Sequence, residues 1–324
     1  MKDSIKRIVV AGALGHIGSR IAPDLARAYP DTQIVLLDSM LTQRYCSLFN
    51  LPTGHFEFVE GDITTLDLDS LIKGSHAVLQ FAAITDAAGS VKNREIVEKN
   101  NLQSTKRIAE ACLKHGTRLL HLSSTSVYGT AEKTVAEDCD ESELKPQSPY
   151  AETKLNEEKL LQQMASEGLK FVTLRFGTIC GTSPGMRFHT AINRFCWQAS
   201  MGQAITVWRT ALNQKRPYLA LTDASRAVQF CLEKDLFSGE IYNVLTANLT
   251  VQDIIDHIKK FVAEPAIEYV DSPIMNQLSY EVIWEKFQKT GFKAEASIAG
   301  EIDATMRILA GASNGRVKLP GAGA

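Results

Sequence analysis

Residues 8–18 read Ile-Val-Val-Ala-Gly-Ala-Leu-Gly-His-Ile-Gly, an apolar run followed by Gly12, Gly15 and Gly18. A helical pattern comes next, so this stretch predicts a strand that turns tightly into a helix. Such a turn presents unpaired backbone N–H groups and the positive end of the helix dipole. Glycine has no Cβ, which lets a phosphate approach the backbone closely. The stretch therefore predicts a pyrophosphate site at the first strand of an α/β sheet.

Asp38 follows a second apolar run, 34–37, and lies twenty residues after Gly18. At this distance a carboxylate can accept hydrogen bonds from an adenosine ribose. The residues directly after Asp38 include no arginine or lysine that could neutralise a 2′-phosphate. We therefore expect the cofactor to be NAD rather than NADP.

Composition argues against several classes of protein. The 324 residues carry 35 basic and 37 acidic side chains without a basic block, which argues against binding to nucleic acid. No apolar run approaches the roughly 20 residues of a membrane span. Lys2, Lys6 and Arg7 before an apolar run imitate a signal peptide, but that run is already explained as the first strand. We expect a cytoplasmic protein that does not bind a membrane.

Six scattered cysteines lack pair spacing, which fits reduced thiols in a cytosol. The seven histidines lack metal-ligand spacing, so no metal site is predicted.

Strand and helix patterns alternate through the first half of the chain. Further strands are expected at 56–59, 77–82, 118–122 and 170–176, and helices at about 91–114 and 149–167. This alternation predicts right-handed crossovers and a doubly wound parallel sheet, the Rossmann architecture.

Beyond Gly177 the regular pattern breaks, which predicts a second, smaller unit. The expected organisation is an NAD-binding domain over 1–177, to which 217–248 returns, a C-terminal α/β substrate domain formed by 178–216 and 249–312, and a flexible tail over 313–324. The strands at 219–221 and 241–244 are expected to join the main sheet. Ligands of such sheets bind outside the carboxyl ends of the strands, so the site is expected between the two units.

Tyr150 and Lys154 are four residues apart on a predicted helix and so share one face. Ser124 lies at the end of the strand that precedes them, where a nicotinamide would bind. A tyrosine with a pKa of about 10 is a poor base at neutral pH, by roughly 4 kcal/mol. A cation about 4 Å away at an effective dielectric of about 20 supplies a stabilisation of that order. Tyr150 could then take a proton from a substrate hydroxyl while the carbon gives a hydride to NAD.

The chain resembles the extended short-chain dehydrogenases/reductases, specifically the NAD-dependent nucleotide-sugar epimerases and dehydratases. The segments that carry this resemblance are 12–18, Asp38, 61–63, 81–83, 101–105, 123–129, 148–154 and 174–177, followed by Arg216-Pro217-Tyr218 and Thr222-Asp223. They cover most of the chain in the same order and at similar spacing.

The resemblance implies a role for each matching residue. Ser124, Tyr150 and Lys154 would be catalytic. NAD would contact Gly12, Leu14, Gly15, His16, Ile17, Gly18, Asp38, Asp62, Ile63, Phe81, Ala82, Ala83, Asn101, Tyr150, Lys154 and Phe176. The substrate would contact Ser124, Thr125, Arg187 and Arg216, with Arg216 on the nucleotide diphosphate.

Two positions depart from the family pattern. Gln80 replaces the usual histidine before Phe-Ala-Ala, which we interpret as a change in packing. Thr125 and Ser126 stand where the dehydratases have Asp-Glu, and where the decarboxylases have Glu at the second place. Without these carboxylates, acid–base work at C5 and C6 lacks its groups. The departure argues against dehydration and decarboxylation.

The expected function is therefore 4-epimerisation of a nucleotide-diphosphate sugar through a transient ketone, with NAD regenerated in place. The alternative within enzymes is a net 4-dehydrogenase or ketosugar reductase. A non-catalytic NAD-sensing module is the alternative from another class. The family also implies a homodimer through helices near 92–115 and 149–167. Its candidate apolar contacts are Val97, Leu102, Ile108, Leu160 and Leu161.

Overall fold

A computed structural model describes residues 5–85, 94–128, 134–209, 211–271 and 280–320. Its strands, numbered along the chain, are β1 (Arg7–Ala11), β2 (Gln33–Asp38), β3 (His55–Glu60), β4 (Ala77–Gln80), β5 (Arg118–Ser124), β6 (Thr134–Val135), β7 (Phe171–Phe176), β8 (Thr178–Cys180), β9 (Ile205–Trp208), β10 (Lys215–Ala220), β11 (Ile241–Val244), β12 (Ala247–Thr250), β13 (Ile267–Val270) and β14 (Glu281–Val282).

The α-helices are α1 (Gly18–Ala28), α2 (Leu68–Ile72), α3 (Arg94–His115), α4 (Pro149–Ala165), α5 (Ala191–Ser200), α6 (Leu221–Lys234), α7 (Val251–Ile258), α8 (Glu285–Lys289) and α9 (Ile298–Ala310). Short 3-10 turns cover Tyr45–Leu48, Thr125–Val127 and Glu141–Glu143.

The main sheet has seven strands in the order β11-β7-β5-β4-β1-β2-β3. All of its pairings are parallel, which confirms the predicted doubly wound sheet. Strand β1 pairs with β2 on one side and with β4 on the other, so the strand order reverses there. The crevice at the carboxyl ends of β1 and β4 is where such sheets bind their ligands.

Helices cover both faces of this sheet, and alternate residues of β1 pack into different cores. Ile8 and Val10 join the core beneath α1 and α6, whereas Val9 and Ala11 join the core beneath α3 and α4. All four residues are buried. Burial on both faces explains why the strands read as continuous apolar runs rather than alternating ones.

A second core lies in the C-terminal half, among α5, α7 and α9. There β10 pairs with β8 in parallel and with β12 in antiparallel, forming a separate three-stranded sheet. The expectation that 219–221 joins the main sheet is therefore wrong, whereas β11 does pair with β7. Alternation along the chain explains the error, because Leu219 and Leu221 pack into the main core while Tyr218 and Ala220 pack into the second.

The helix that carries Tyr150 and Lys154 differs from the sequence prediction at one end. Helix α4 begins at Pro149, and the hydroxyl of Ser148 accepts a hydrogen bond from the amide of Ala151 at 3.2 Å. Serine at the cap and proline at the first helical position explain that start. The helix ends at Ala165, two residues before the predicted limit. The predicted start of the long helix at residue 91 lies outside the described residues, and α3 is described from Arg94.

The sequence predicts a flexible tail over 313–324, and part of this segment lies against the second core. Ser313 and Val317 are buried, and the amide of Lys318 donates to the carbonyl of Phe261 at 2.8 Å. Apolar contact with the second core thus holds this segment in place. Residues 321–324 lie outside the described residues.

Three of the five side chains expected at a dimer interface lie in the protein core instead. Val97, Ile108 and Leu161 are buried, so they cannot contact a second subunit. Leu102 and Leu160 are only half-buried and line shallow hollows on the outer sides of α3 and α4. In the part of the chain that the structure describes, none of the helices combines the length and the apolar character that crossing a membrane requires.

Candidate active site

The glycine-rich turn between β1 and α1 requires glycine at two positions for steric reasons. Gly12 has φ of 76°, and a Cβ there would lie 2.6 Å from the amide nitrogen of Ala82. A Cβ on Gly18 would lie 2.4 Å from the carbonyl oxygen of Gly12. The amide of Gly15 donates to that same oxygen at 3.2 Å, which closes the turn. The tight cradle that results fits a pyrophosphate at the start of α1, where Ile17 precedes the first helical residue.

Asp38 ends β2 beside this turn. Its carboxylate accepts hydrogen bonds from the amides of Leu14 and Met40, each at 3.0 Å. These bonds fix the carboxylate at the edge of the crevice, where the fold places an adenosine ribose. Asp62 and Ile63 follow the neighbouring strand β3. Asp62 is exposed and accepts from the amide of Thr64 at 2.8 Å, whereas Ile63 is buried.

The segment after β4 lies directly against the glycine-rich turn. Phe81 donates its amide to the carbonyl of Ala11 at 2.9 Å, and Ala82 and Ala83 follow it half-buried. Asn101 was expected to contact the cofactor. Its side chain is buried and binds the backbone of Ile84, with Oδ1 accepting at 2.8 Å and Nδ2 donating at 3.1 Å. Asn101 therefore acts on the shape of this segment.

A loop from the second unit covers the glycine-rich turn, which the sequence did not reveal. The amide of Gly185 donates to the hydroxyl of Ser19 at 2.9 Å. The carbonyl of Gly185 accepts from the guanidinium of Arg44. The hydroxyl of Ser183 lies 3.1 Å from Nδ1 of His16. We call residues 183–187 the covering loop.

His16 is enclosed by this contact. Burial lowers the pKa of its imidazole to about 3, and the nearby Arg44, His189 and Arg187 act in the same direction. His16 is therefore neutral, and among the described residues its buried Nε2 has no hydrogen-bond partner. A buried nitrogen of this kind fits an additional polar group in the cradle, as a bound dinucleotide would supply.

Two of the predicted catalytic residues lie together on one helix, and the third lies at the end of a strand of the main sheet. Tyr150 and Lys154 lie on the first turns of α4, with Nζ of Lys154 6.0 Å from the centre of the Tyr150 ring. Ser124 ends β5, next to the end of β7 at Phe176. The hydroxyl of Ser124 accepts bonds from the amide and the hydroxyl of Ser126, at 3.1 and 2.9 Å. The hydroxyl hydrogen of Ser124 is therefore available to donate to another acceptor.

The expected fall in the pKa of Tyr150 is not what the protein alone produces. Burial raises the pKa of the Tyr150 hydroxyl, and the positive charges of Lys154 and Arg187 only partly oppose this rise. The Glu157 carboxylate adds to it. The attraction of a neighbouring cation lowers the free energy of the phenolate, but the cost of burying that phenolate is larger. A bound pyridinium ring would add positive charge to the same pocket.

Lys154 is itself part of a buried ionic network that sequence analysis missed. Its Nζ lies 2.9 Å from Oε2 of Glu157, and Nε2 of His121 lies 2.7 Å from the same oxygen. Burial acts to lower the pKa of Lys154, but Glu157, Tyr150 and Glu158 together outweigh it and raise that pKa. The signal was present in the sequence, because Glu157 is three residues after Lys154 on the same helix face.

Three further residues were named as substrate contacts, namely Thr125, Arg187 and Arg216. Thr125 is buried, and its hydroxyl donates to the carbonyl of Phe176 at 3.3 Å. Arg187 donates to the hydroxyl of Thr85 and bears on the pKa of Tyr150. Arg216 lies 5.5 Å from the centre of the Tyr280 ring and is half-buried.

Tyr280 connects the second unit to the main sheet, and sequence analysis did not single it out. It is buried, and its hydroxyl donates to the carbonyl of Thr125 at 3.3 Å. The Arg216 guanidinium is thus placed beside the end of β5 by a residue that is 64 positions away in the chain. A distant partner of this kind leaves no local pattern.

Fold and site together define an NAD-binding enzyme with a Tyr-Lys pair at the end of a doubly wound sheet. The sequence profile of the NAD dependent epimerase/dehydratase family matches residues 8–244, and the chain belongs to this family. It is therefore an enzyme of an NAD-dependent family.

Similar proteins include several that act on nucleotide sugars. The trifunctional UDP-glucose 4,6-dehydratase/UDP-4-keto-6-deoxy-D-glucose 3,5-epimerase/UDP-4-keto-L-rhamnose-reductase RHM1 of Arabidopsis thaliana is 33% identical over 93% of this chain and 46% of its own length. The chain thus spans about half the length of that relative. A protein of Bacillus subtilis described as an uncharacterized UDP-glucose epimerase, YtcB, is 30% identical over 84% of this chain and 91% of its own.

Among solved structures, the UDP-glucuronic acid 4-epimerase of Bacillus cereus in complex with UDP-glucuronic acid and NAD has a TM-score of 0.82. It is 25% identical, with 94% of this chain and 99% of the other covered. MoeE5 in complex with UDP-glucose and NAD has a TM-score of 0.79 at 25% identity, over 93% and 97% of the two chains.

Proposed function

We propose that the protein is a nucleotide-diphosphate-sugar 4-epimerase that retains and regenerates its NAD. When bound, NAD supplies the reversible hydride acceptor for the sugar carbon. Tyr150 accepts the proton of the sugar hydroxyl and later returns it, while Lys154 supplies the adjacent positive charge. Ser124, whose hydroxyl accepts two bonds from Ser126, donates a hydrogen bond to the reacting sugar oxygen.

The observation that carries this proposal over a net dehydrogenase is the covering loop. Backbone and side-chain contacts connect it to Ser19, His16 and Arg44 around the cofactor cradle. Exchange of NAD at every turnover would require these contacts to break and form again each time. A covered cradle suits an enzyme that completes oxidation and reduction on one cofactor molecule.

Dehydration is the second candidate, because the Arabidopsis relative is a 4,6-dehydratase. That reaction needs an acid to protonate the leaving hydroxyl and a base to remove the C5 proton. Ser126 and the buried Thr125 occupy the two positions after Ser124, and neither can act as a carboxylic acid. The hydroxyl side chains at this strand end therefore favour epimerisation.

For the substrate we propose a UDP-sugar, since the solved neighbours bind UDP-glucose or UDP-glucuronic acid. Arg216, held beside the Tyr280 ring, is proposed to bind the diphosphate. Arg187 lies nearer to Tyr150 and is proposed to contact the sugar end. We also propose a homodimer that buries the outer faces of α3 and α4, including Leu102 and Leu160.

The test uses the purified full chain with UDP-glucose, UDP-N-acetylglucosamine and UDP-glucuronic acid in turn. NMR of the sugar reports inversion at C4, and absorbance reports reduced nicotinamide. We expect C4 epimers to form with no net accumulation of NADH. Tyr150→Phe should slow turnover by about 10²- to 10⁴-fold while the variant still binds NAD.

Each other outcome contradicts the proposal in a recognisable way. NADH formed in proportion to product identifies a 4-dehydrogenase, and a 4-keto-6-deoxy sugar identifies a dehydratase. NAD binding without conversion of any sugar supports an NAD-sensing protein.

A further inference from the structure

The ammonium group of Lys154 lies in a buried network of three residues. Oε2 of Glu157 accepts from Nζ of Lys154 at 2.9 Å and from Nε2 of His121 at 2.7 Å. The side chains of Lys154, Glu157 and His121 are 4%, 0% and 0% exposed. One buried carboxylate oxygen therefore joins the cation beside Tyr150 to an imidazole on β5.

We propose that Glu157 and His121 are positioning residues that act on Tyr150 through Lys154. The Glu157 carboxylate keeps the buried lysine ionised and fixes its ammonium group, and His121 in turn keeps Glu157 ionised. The effect on catalysis rests on the function proposed above, whereas the ionic network itself does not.

The need for a counter-ion follows from the burial of Lys154. A lysine that is buried without a partner loses its charge readily, and such groups titrate as low as about 5–6. Burial lowers the pKa of Lys154, and the Glu157 carboxylate is the strongest of the groups that raise it. Without that carboxylate, burial would prevail and Tyr150 would lose its neighbouring cation.

His121 has the protonation state that this role requires. Burial lowers the pKa of its imidazole, so the ring is neutral, although the hydrogen bond to Glu157 opposes this shift. Nδ1 lies 3.3 Å from the hydroxyl of Thr173, which can donate to it, and Nε2 then carries the hydrogen that Glu157 accepts. Within the described residues, Oε1 of Glu157 has no hydrogen-bond partner. Lys154 and His121 therefore supply the polar contacts that stabilise this carboxylate.

The other charged groups near the network come from three elements. Glu158 follows on α4 and is engaged by Arg175 of β7 at 2.7 and 2.9 Å. Arg187 of the covering loop bears on the pKa of Tyr150. Glu158 raises the pKa of Lys154 less than Glu157 and Tyr150 do. Among these groups, Glu157 touches the lysine directly.

The experiment titrates Lys154 itself in the NAD-bound full chain. Lysine labelled with ¹³C at Cε reports its protonation by NMR, and the signal is assigned from the spectrum of Lys154→Met. In Glu157→Gln we expect the pKa of Lys154 to fall by about 2 units or more, which is roughly a 100-fold change in the proton equilibrium. Glu152→Gln is the matched control, because Glu152 is on the same helix and 37% exposed, and it should leave this pKa unchanged.

Turnover gives a second readout, in which the acid limb of the pH–rate profile moves to higher pH in Glu157→Gln. If the wild-type protein converts no sugar, the proposed function fails, and the titration still decides the present inference. Equal lysine pKa values in wild type and Glu157→Gln would overturn it.

Two measurements cover the case in which the amide variant does not fold. In the wild-type protein, the Glu157 carboxyl carbon must report an ionised group near neutral pH and Lys154 must be charged; a protonated Glu157 or a neutral Lys154 overturns the proposal. In His121→Phe, the pKa of Lys154 should fall by less than in the amide variant. If the pKa of Lys154 is unchanged in His121→Phe, His121 does not help to keep the lysine charged and is not a positioning residue.

Discussion

Gly185 of the covering loop offers the sharpest test of how the cofactor is enclosed. A Cβ at this position would lie 2.3 Å from the carbonyl oxygen of Leu14 and 2.7 Å from that of Gly15. Both atoms belong to the backbone of the glycine-rich turn, so a rotamer change cannot relieve the clash. Gly185→Ala must therefore move the covering loop away from the turn or distort the turn itself.

The size of the effect follows from the usual cost of overpacking. Forcing an extra carbon into a tight contact costs about 1–3 kcal/mol. If this cost falls on the closed, NAD-bound arrangement, the affinity for NAD weakens by about 5- to 150-fold. Isothermal titration calorimetry on protein stripped of its cofactor measures this difference directly. The sugar assay should at the same time become dependent on added NAD.

Gly311→Ala is the matched control. A Cβ at Gly311 meets no atom within 4 Å, and its φ of −61° is an ordinary value for alanine. This variant should bind NAD as the wild type does. If Gly185→Ala also binds NAD with wild-type affinity, the covering loop does not enclose the cofactor and the argument for NAD retention is refuted.

Four further outcomes are expected. Glu158→Gln leaves the buried guanidinium of Arg175 without its carboxylate, so urea unfolding should show a loss of about 3–5 kcal/mol; wild-type stability would contradict a buried ion pair. Arg216→Met should raise KM for a UDP-sugar by about 10- to 100-fold with little change in kcat, and an unchanged KM would place the diphosphate elsewhere. Leu160→Glu should shift the protein towards monomer in analytical ultracentrifugation, unless the outer face of α4 lies outside the interface. The pKa of His16 is about 3 in the folded protein and about 6.5 in the unfolded chain. The free energy of unfolding should therefore fall by about 1.4 kcal/mol for each pH unit as the pH drops between these values. His16→Asn should remove that part of the pH dependence in unfolding curves measured across this range.

Local sequence was sufficient for the main sheet and for the core of the site. The apolar runs at β1, β2 and β7 are buried on both faces. A continuous apolar run of this kind can be recognised in the sequence without knowing which strands lie beside it. The Ser148-Pro149 pair fixed the start of α4 and hence the direction of Tyr150 and Lys154. These features depend on backbone geometry within a few residues, which a sequence states directly.

Strand β10 shows where local pattern stops being informative. The sequence predicts a strand at 219–221, and a strand forms over Lys215–Ala220. It lies between two cores, however, with Leu219 facing one and Tyr218 the other. Periodicity states how many faces are buried but not against which sheet. In the C-terminal segment, Val317 packs onto the second core, a contact that the local pattern does not indicate.

The sequence by itself determined the glycine cradle, the acidic end of β2 and the Tyr-Lys pair, because each depends on spacing along one turn or one helix. Tertiary structure alone decided the electrostatic state of the pair. The pKa of Tyr150 depends on burial, on Lys154 and on Glu157, and the Glu157 carboxylate is itself bonded to a histidine 36 residues away. The interaction energy of two charges depends on the distance between them and on the local dielectric constant, and both are set by the three-dimensional structure rather than by the order of residues.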